Sequence, residues 1–107
     1  MDNIVKQELM NWTSGKVKGF HGKQLIEKKN GGLKIVKVDG FSVYPEHIHP
    51  DKTEFAYVLQ GRPEMLIGGK KYAGEKNDFF IFPSGINHGI KNSCEEVCLL
   101  IIGSFKE

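Results

Sequence analysis

Turn-forming residues recur, mostly every five to ten positions, along this 107-residue chain, and that rhythm restricts it to short elements. The breakpoints are Asn30-Gly31-Gly32, Asp39-Gly40, Gly61-Arg62-Pro63, Gly68-Gly69, Ala73-Gly74, Pro83-Ser84-Gly85 and Asn92-Ser93. Short apolar or alternating runs lie between them, at 23–28, 33–38, 42–49, 54–60, 64–67, 70–72, 78–82, 89–91 and 97–102. Many short strands closed by turns predict an all-β sandwich or barrel. Asn30-Gly31 and Gly68-Gly69 suit tight hairpin turns, because glycine accepts the positive φ that such turns need. Near the N-terminus Val5, Leu9 and Trp12 recur at helical spacing. The same three residues also suit an edge strand, or an arm laid on a second subunit.

A chain of this length can bury one core and is too short for two. Residues 1–107 are therefore expected to form one domain, with an N-terminal arm and the first strands in 1–30 and a barrel in 33–102. No run of about 18 apolar residues occurs, so no membrane-spanning helix is expected. The opening residues, Met1 to Glu8, are charged and lack the apolar core of a secretory signal, which makes the cytoplasm the expected location. The net charge is +2, Arg62 is the only arginine, and the lysines are scattered. That pattern fits a solvated surface better than the clustered, arginine-rich face of a nucleic-acid reader. Cys94 and Cys98 have no second cysteine pair with which to complete a zinc site. On one strand they would lie too far apart for a disulfide, so both are expected as reduced, partly buried thiols.

The histidines carry more information. His47 and His49 are two apart, and on a strand such residues point to one side. Glu54 follows across Pro50-Asp51-Lys52-Thr53, where a neighbouring antiparallel strand would bring its carboxylate beside the two rings. His88 comes after the Pro83-Ser84-Gly85 turn. Imidazole and carboxylate together suit Fe, Mn, Ni, Cu or Zn. Taken singly these residues mean little: a lone H-x-H usually marks a polar strand face, an isolated Glu a solvated surface, and an isolated His a satisfied loop residue. His21, between Phe20 and Gly22, has no partner at a telling spacing and reads as a surface or packing residue.

Taken together they resemble a family. His47-x-His49-x4-Glu54-x6-Gly61, with Gly40 upstream, looks like the first motif of the cupins. Pro83-x-Gly85-x2-His88-x3-Asn92 looks like the second. Where that motif usually opens with Gly ahead of the Pro, this chain has Asn77-Asp78. Asn also tolerates positive φ, so the turn survives the exchange. The resemblance covers roughly residues 33–102. It implies a small double-stranded β-helix, or jelly-roll barrel, in which His47, His49, Glu54 and His88 hold one divalent metal ion. Pro83 and Gly85 would aim His88 inward, and Gly61 would end the strand carrying Glu54. By alternation Ala56, Val58 and Gln60 should share the face of Glu54, and the run 78–82 must place at least one Phe in the barrel.

Three His and one Glu would leave up to two metal positions for water, dioxygen or substrate. The resemblance therefore implies a metalloenzyme acting on a small organic molecule, by dioxygenase-type or isomerase and lyase chemistry. A non-catalytic module binding a metal or small ligand is the alternative, and a structural barrel with an incidental metal a third reading. A phosphosugar isomerase of this fold would need a basic cluster facing the metal, and only Lys52 can be placed there from sequence. No residue can be assigned a catalytic role beyond the metal. The apolar run 97–102 needs cover, which predicts a homodimer through sheet packing or exchanged N-terminal strands.

Overall fold

Strands form wherever the sequence alternates between turn signals, and the computed structural model, which describes residues 3–107, arranges them in two antiparallel sheets. In chain order they are β1 (Thr13–Ser14), β2 (Phe20–Lys28), β3 (Gly31–Val38), β4 (Val43–His47), β5 (Lys52–Gln60), β6 (Glu64–Ile67), β7 (Lys70–Ala73), β8 (Phe79–Phe82), β9 (His88–Lys91) and β10 (Cys98–Lys106). The larger sheet runs β1-β2-β3-β10-β5-β8 and the smaller β4-β9-β6-β7. Neighbours far apart in sequence, such as β3 with β10, give the double-sheet jelly-roll its crossovers. Among the described residues no helix is long and apolar enough to cross a membrane.

The two inner faces make the core. Phe20, Val36, Val38, Ala56, Val58, Leu100 and Ile102 come from the larger sheet, and Met65 and Ile90 from the smaller. The alternation expected from Glu54 holds through Ala56 and Val58, both fully buried, while Gln60 is exposed at the strand end. Of the aromatic run, Phe82 is buried and Phe80 packs on the core, whereas Phe79 and Ile81 face outward. The run around residues 97–102 is not an uncovered flank. It belongs to β10, which lies between β3 and β5, so the ladder and the inner face cover most of it.

Two local expectations change. The N-terminal residues form no α-helix: Gln7–Leu9 is one 3-10 turn, and β1 is a short edge strand on β2. What holds this arm is polar. The Lys23 ammonium donates to the Gln7 carbonyl oxygen at 2.9 Å and lies 4.5 Å from the centre of the Trp12 ring. Val5 and Leu9, which the helical spacing singled out, are exposed. The second change concerns the first hairpin. Lys28 pairs with Gly31, so Lys29-Asn30 is the turn and Gly31 is already in the strand. Gly31 is there for close approach, since a Cβ would stand 2.1 Å from the Ser104 carbonyl oxygen. Gly68-Gly69 behaves as expected, with φ of 57° and 80° between β6 and β7.

Gly61 ends β5 as the motif implies, and does so at φ 90°. A Cβ there would meet Cys98 Sγ at 2.6 Å and Cys98 Cα at 2.9 Å. Backbone and side chain thus oppose any larger residue. Gly61→Ala is expected to lower unfolding free energy by about 2–4 kcal/mol. Chemical denaturation would check this; an unchanged midpoint would mean that the turn relaxes freely.

Candidate metal centre

Both sheets contribute to one cluster. His47 ends β4, His88 opens β9, and the two are direct cross-strand partners with ring centroids 4.3 Å apart. His49 lies past the end of β4, with its ring centroid 4.8 Å from that of His47. Strand alternation therefore does not place His49; its backbone is tied in the following turn, where the Gly85 N–H donates to the His49 carbonyl oxygen at 2.9 Å. Gly85 has φ 75° and is the pivot that turns the chain toward His88, as the motif implies. Asn77, at φ 77°, occupies the left-handed region that glycine usually fills at this point of the motif.

Glu54 arrives differently from the expectation. β5 is not a neighbour of the histidine strand: β4 pairs with β9, and β5 lies between β10 and β8. The carboxylate reaches the imidazoles across the sandwich, because Glu54 shares the inner face with Ala56 and Val58. One ligand atom from each of His47, His49, Glu54 and His88 lies within 4.8 Å of every other. All four residues singled out in the sequence thus converge on one point.

Hydrogen bonds set the ring orientations. His47 Nδ1 donates to the Pro45 carbonyl oxygen at 2.9 Å, and His88 Nδ1 to that of Ile86 at 3.2 Å. A carbonyl only accepts, so each Nδ1 carries the proton and Nε2 of the neutral ring presents a lone pair. His88 Nε2 and His49 Nε2 stand 3.1 and 3.0 Å from the same Glu54 Oε1. A lone pair facing a carboxylate oxygen repels it unless a proton or a cation stands between them. The donor set therefore fits a divalent ion, and backbone carbonyls are the kind of outer partner that would orient such histidines. Behind His88, Phe82 stacks at a centroid distance of 4.7 Å and an interplanar angle of 18°. His88 is only 3% exposed, so one wall of the site is dry.

Burial lowers the His49 pKa, and the charges of Lys52, His47 and His88 add to that, against the opposing pull of Glu54. Burial alone would raise Glu54, but with no metal present a proton between His88 Nε2 and the carboxylate makes a hydrogen bond that, with the charges of Lys52, His49 and His88, leaves it lowered. Both shifts act in one direction on stability. A group whose folded pKa is depressed stabilises the fold above its unfolded value and loses that contribution as pH falls. Chelator-stripped protein should therefore melt at progressively lower temperature below pH 6.5, where His49 of the unfolded chain takes up a proton that the folded site resists, and again below pH 4.5, where Glu54 does the same. Thermal melts across that range test it; a flat profile would contradict the assigned environments.

Other residues have roles that spacing did not reveal. His21 does have partners: its Nε2 is 2.9 Å from Asp39 Oδ2 and its Nδ1 is 3.4 Å from Ser14 Oγ. They come from three separate segments, so no local pattern announces them. Asn92, the last residue of the second motif, is fully buried. Its side-chain amide donates to the carbonyl oxygens of Val38, Asp39 and Glu96, and its Oδ1 accepts from the Cys94 N–H. It ties the end of β3 to its own loop, residues 92–96. Cys98 is buried and its thiol pKa is raised by burial, while Cys94 is exposed rather than partly buried; neither forms a disulfide.

Fold and site define a small jelly-roll barrel with a clustered three-histidine, one-carboxylate donor set. The family model described as "Cupin domain" matches residues 35–103, and the chain belongs to that family. A rhicadhesin receptor of Pisum sativum is 29% identical over 110 residues, which cover 94% of this chain and 50% of the receptor. This chain thus spans about half the length of that curated relative. A predicted oxalate decarboxylase from Thermotoga maritima superposes with a TM-score of 0.89 at 18% identity, over 97% of this chain and 99% of the other. The polyketide cyclase RemF from Streptomyces resistomycificus gives 0.86 at 19% identity, over 100% of this chain and 81% of the other. At these identities the structural likeness establishes the fold alone.

Proposed function

We propose that the protein is a metal-dependent cupin enzyme acting on a small organic molecule, with dioxygenase-type chemistry ahead of isomerase or lyase chemistry. The observation that carries this reading is the convergence of four ligand atoms within 4.8 Å. His47, His49, Glu54 and His88 would hold one Fe, Mn, Ni, Cu or Zn ion. When bound, such an ion supplies Lewis-acid polarisation and, if redox-active, oxygen chemistry. The chain's own residues do the rest. The Pro45 and Ile86 carbonyls keep two histidines in the ligating tautomer. Glu54 brings negative charge into the cluster, and Phe82 and Ala56 keep water off the inner wall. Two of the structural neighbours are named for reactions of small organic molecules, which agrees with this substrate class.

Elemental analysis of freshly purified protein would identify the ion. Oxygen consumption by the iron-loaded protein, measured against a panel of small enols and catechols, tests the oxidative chemistry. A stoichiometric metal with no turnover of any panel member would favour a non-catalytic binding or sensing module.

The same reading takes residues 1–107 as one cupin unit residing in the cytoplasm, consistent with two free cysteines. Its partners are a small-molecule ligand and a second copy of the chain. On the outer face of the larger sheet, Phe55 contacts Phe79 and Phe105 at centroid distances of 5.5 and 5.3 Å, beside exposed Ile81. An apolar patch of this kind suits sheet-on-sheet dimerisation. Sedimentation should give roughly twice the 12.0 kDa chain mass, and Phe79→Lys with Phe105→Lys should shift it to monomer. A monomer mass independent of concentration would count against the dimer.

A further inference from the structure

The inner face of the larger sheet continues past the cluster, and there its character changes from apolar to cationic. Register fixes which residues share that face. Ala56 and Ile102 are cross-strand partners in the core, and Ile102 also pairs with Lys34, so Lys34 points to the inner side. One step nearer the β5 start, Glu54 pairs with Ser104, and one step further Lys52 pairs with Lys106. Strand alternation carries Lys52 and Lys106 onto the same face as Glu54 and Ser104. Glu54 is thus bordered on its own sheet by three lysines from three strands.

These residues line a real space. A cleft of about 750 Å³ is walled by Lys34, Lys52, Lys106, Gln24 and Ser104, and Glu54 of the cluster is part of its wall. That volume suits a small organic ligand. Among the ion pairs of the described residues, none uses Lys34, Lys52 or Lys106. Glu27 is the other carboxylate on the cleft wall, while Lys28 and Lys29 from the β2–β3 turn add two more positive charges. The basic cluster that sequence could locate only at Lys52 is assembled by pairing across β3, β10 and β5.

We propose that Lys34, Lys52 and Lys106 form an oxyanion subsite beside the His47–His49–Glu54–His88 cluster, so that the molecule taken up is a small organic anion bearing a carboxylate or phosphate group. The proposal deepens the metalloenzyme reading and rests on it for the second anchoring point of the ligand. The lysines would hold one anionic group at the mouth while the rest of the molecule lies toward the histidines. Their stems are flexible and their charges concentrated, so they would select for charge more than for a fixed planar geometry.

Calorimetric titration tests this with malonate and inorganic phosphate as probes and malonamide as the neutral counterpart of malonate. Metal-loaded wild-type protein should bind at least one anion, more weakly as NaCl rises, and malonamide at least tenfold more weakly than malonate. The stronger of malonate and phosphate shows whether the ligand group is a carboxylate or a phosphate. The triple variant Lys34→Gln, Lys52→Gln, Lys106→Gln should lose at least tenfold in anion affinity with metal stoichiometry unchanged by elemental analysis. Lys91→Gln, at the far end of β9, should behave as wild type. Equal anion binding by the triple variant, equal binding of malonamide, or no binding of either anion would overturn the subsite. Failure of the metal reading shows elsewhere, as absence of metal from wild-type protein. The lysine-dependent loss of anion binding in the metal-free protein would then still decide the subsite by itself.

Discussion

Replacing His47 and His49 together by alanine is expected to abolish stoichiometric binding of a divalent ion, with an affinity loss of at least about 1,000-fold. Removing an outer partner of a metal ligand already costs about 10–100-fold, and this change removes two imidazoles outright. The fold should survive it. Neither side chain belongs to the buried core, His49 lies outside the strand, and the β4–β9 pairing of Val43 with Lys91 does not depend on them. Circular dichroism of the double variant should therefore match wild type while elemental analysis finds it empty. A folded double variant that still carries one metal per chain would move the site elsewhere.

Glu54→Gln and His88→Ala should both weaken metal binding, and His88→Ala the more. Glu54→Gln keeps size and an oxygen donor but removes the cluster's only negative charge, for an expected loss of about 100-fold at neutral pH. The three histidines would still bind. His88→Ala removes the most buried ligand, the cross-strand partner of His47 and the ring that stacks on Phe82. It opens the dry wall of the site to water, so about a further tenfold loss is expected. The damage falls within the sheet that also carries His47; the opposing sheet supplies only Glu54. Acid dependence separates the two roles of Glu54. Its charge raises the His49 pKa, so Glu54→Gln lets that ring stay neutral to lower pH. Affinity should thus be lower throughout in Glu54→Gln, yet begin its acid decline at a lower pH than wild type. Metal titrations at several pH values from neutral downward measure both effects. Wild-type affinity in Glu54→Gln would remove Glu54 from the ligand set and leave three histidines.

Turn chemistry and alternation made the strands legible because they are local. A glycine pair between alternating runs needs only its own φ to declare a hairpin, as at Gly68-Gly69, and Ala56 and Val58 follow Glu54 inward whatever the sheet does. The four site residues were legible because ligand type and motif spacing survive without knowledge of the path between them. Where the reading depended on pairing, it failed. Glu54 follows His49 by five residues, which suggested a neighbouring strand, but the chain crosses to the other sheet between them. Asn30-Gly31 suggested a turn, whereas Gly31 is constrained by Ser104, far along the chain. His21 found Asp39 and Ser14 across two strand pairings. The cationic cleft shows the same limit: Lys34, Lys52 and Lys106 are scattered in sequence and become one surface only when β10 pairs with both β3 and β5. The sequence alone determined the strand count to within the short edge strand, the family resemblance and the four-residue cluster, because each is written in local spacing. The tertiary structure decided which sheet supplies each residue of the cluster and what surrounds it, because long-range hydrogen-bonded register is set by the burial of the whole core.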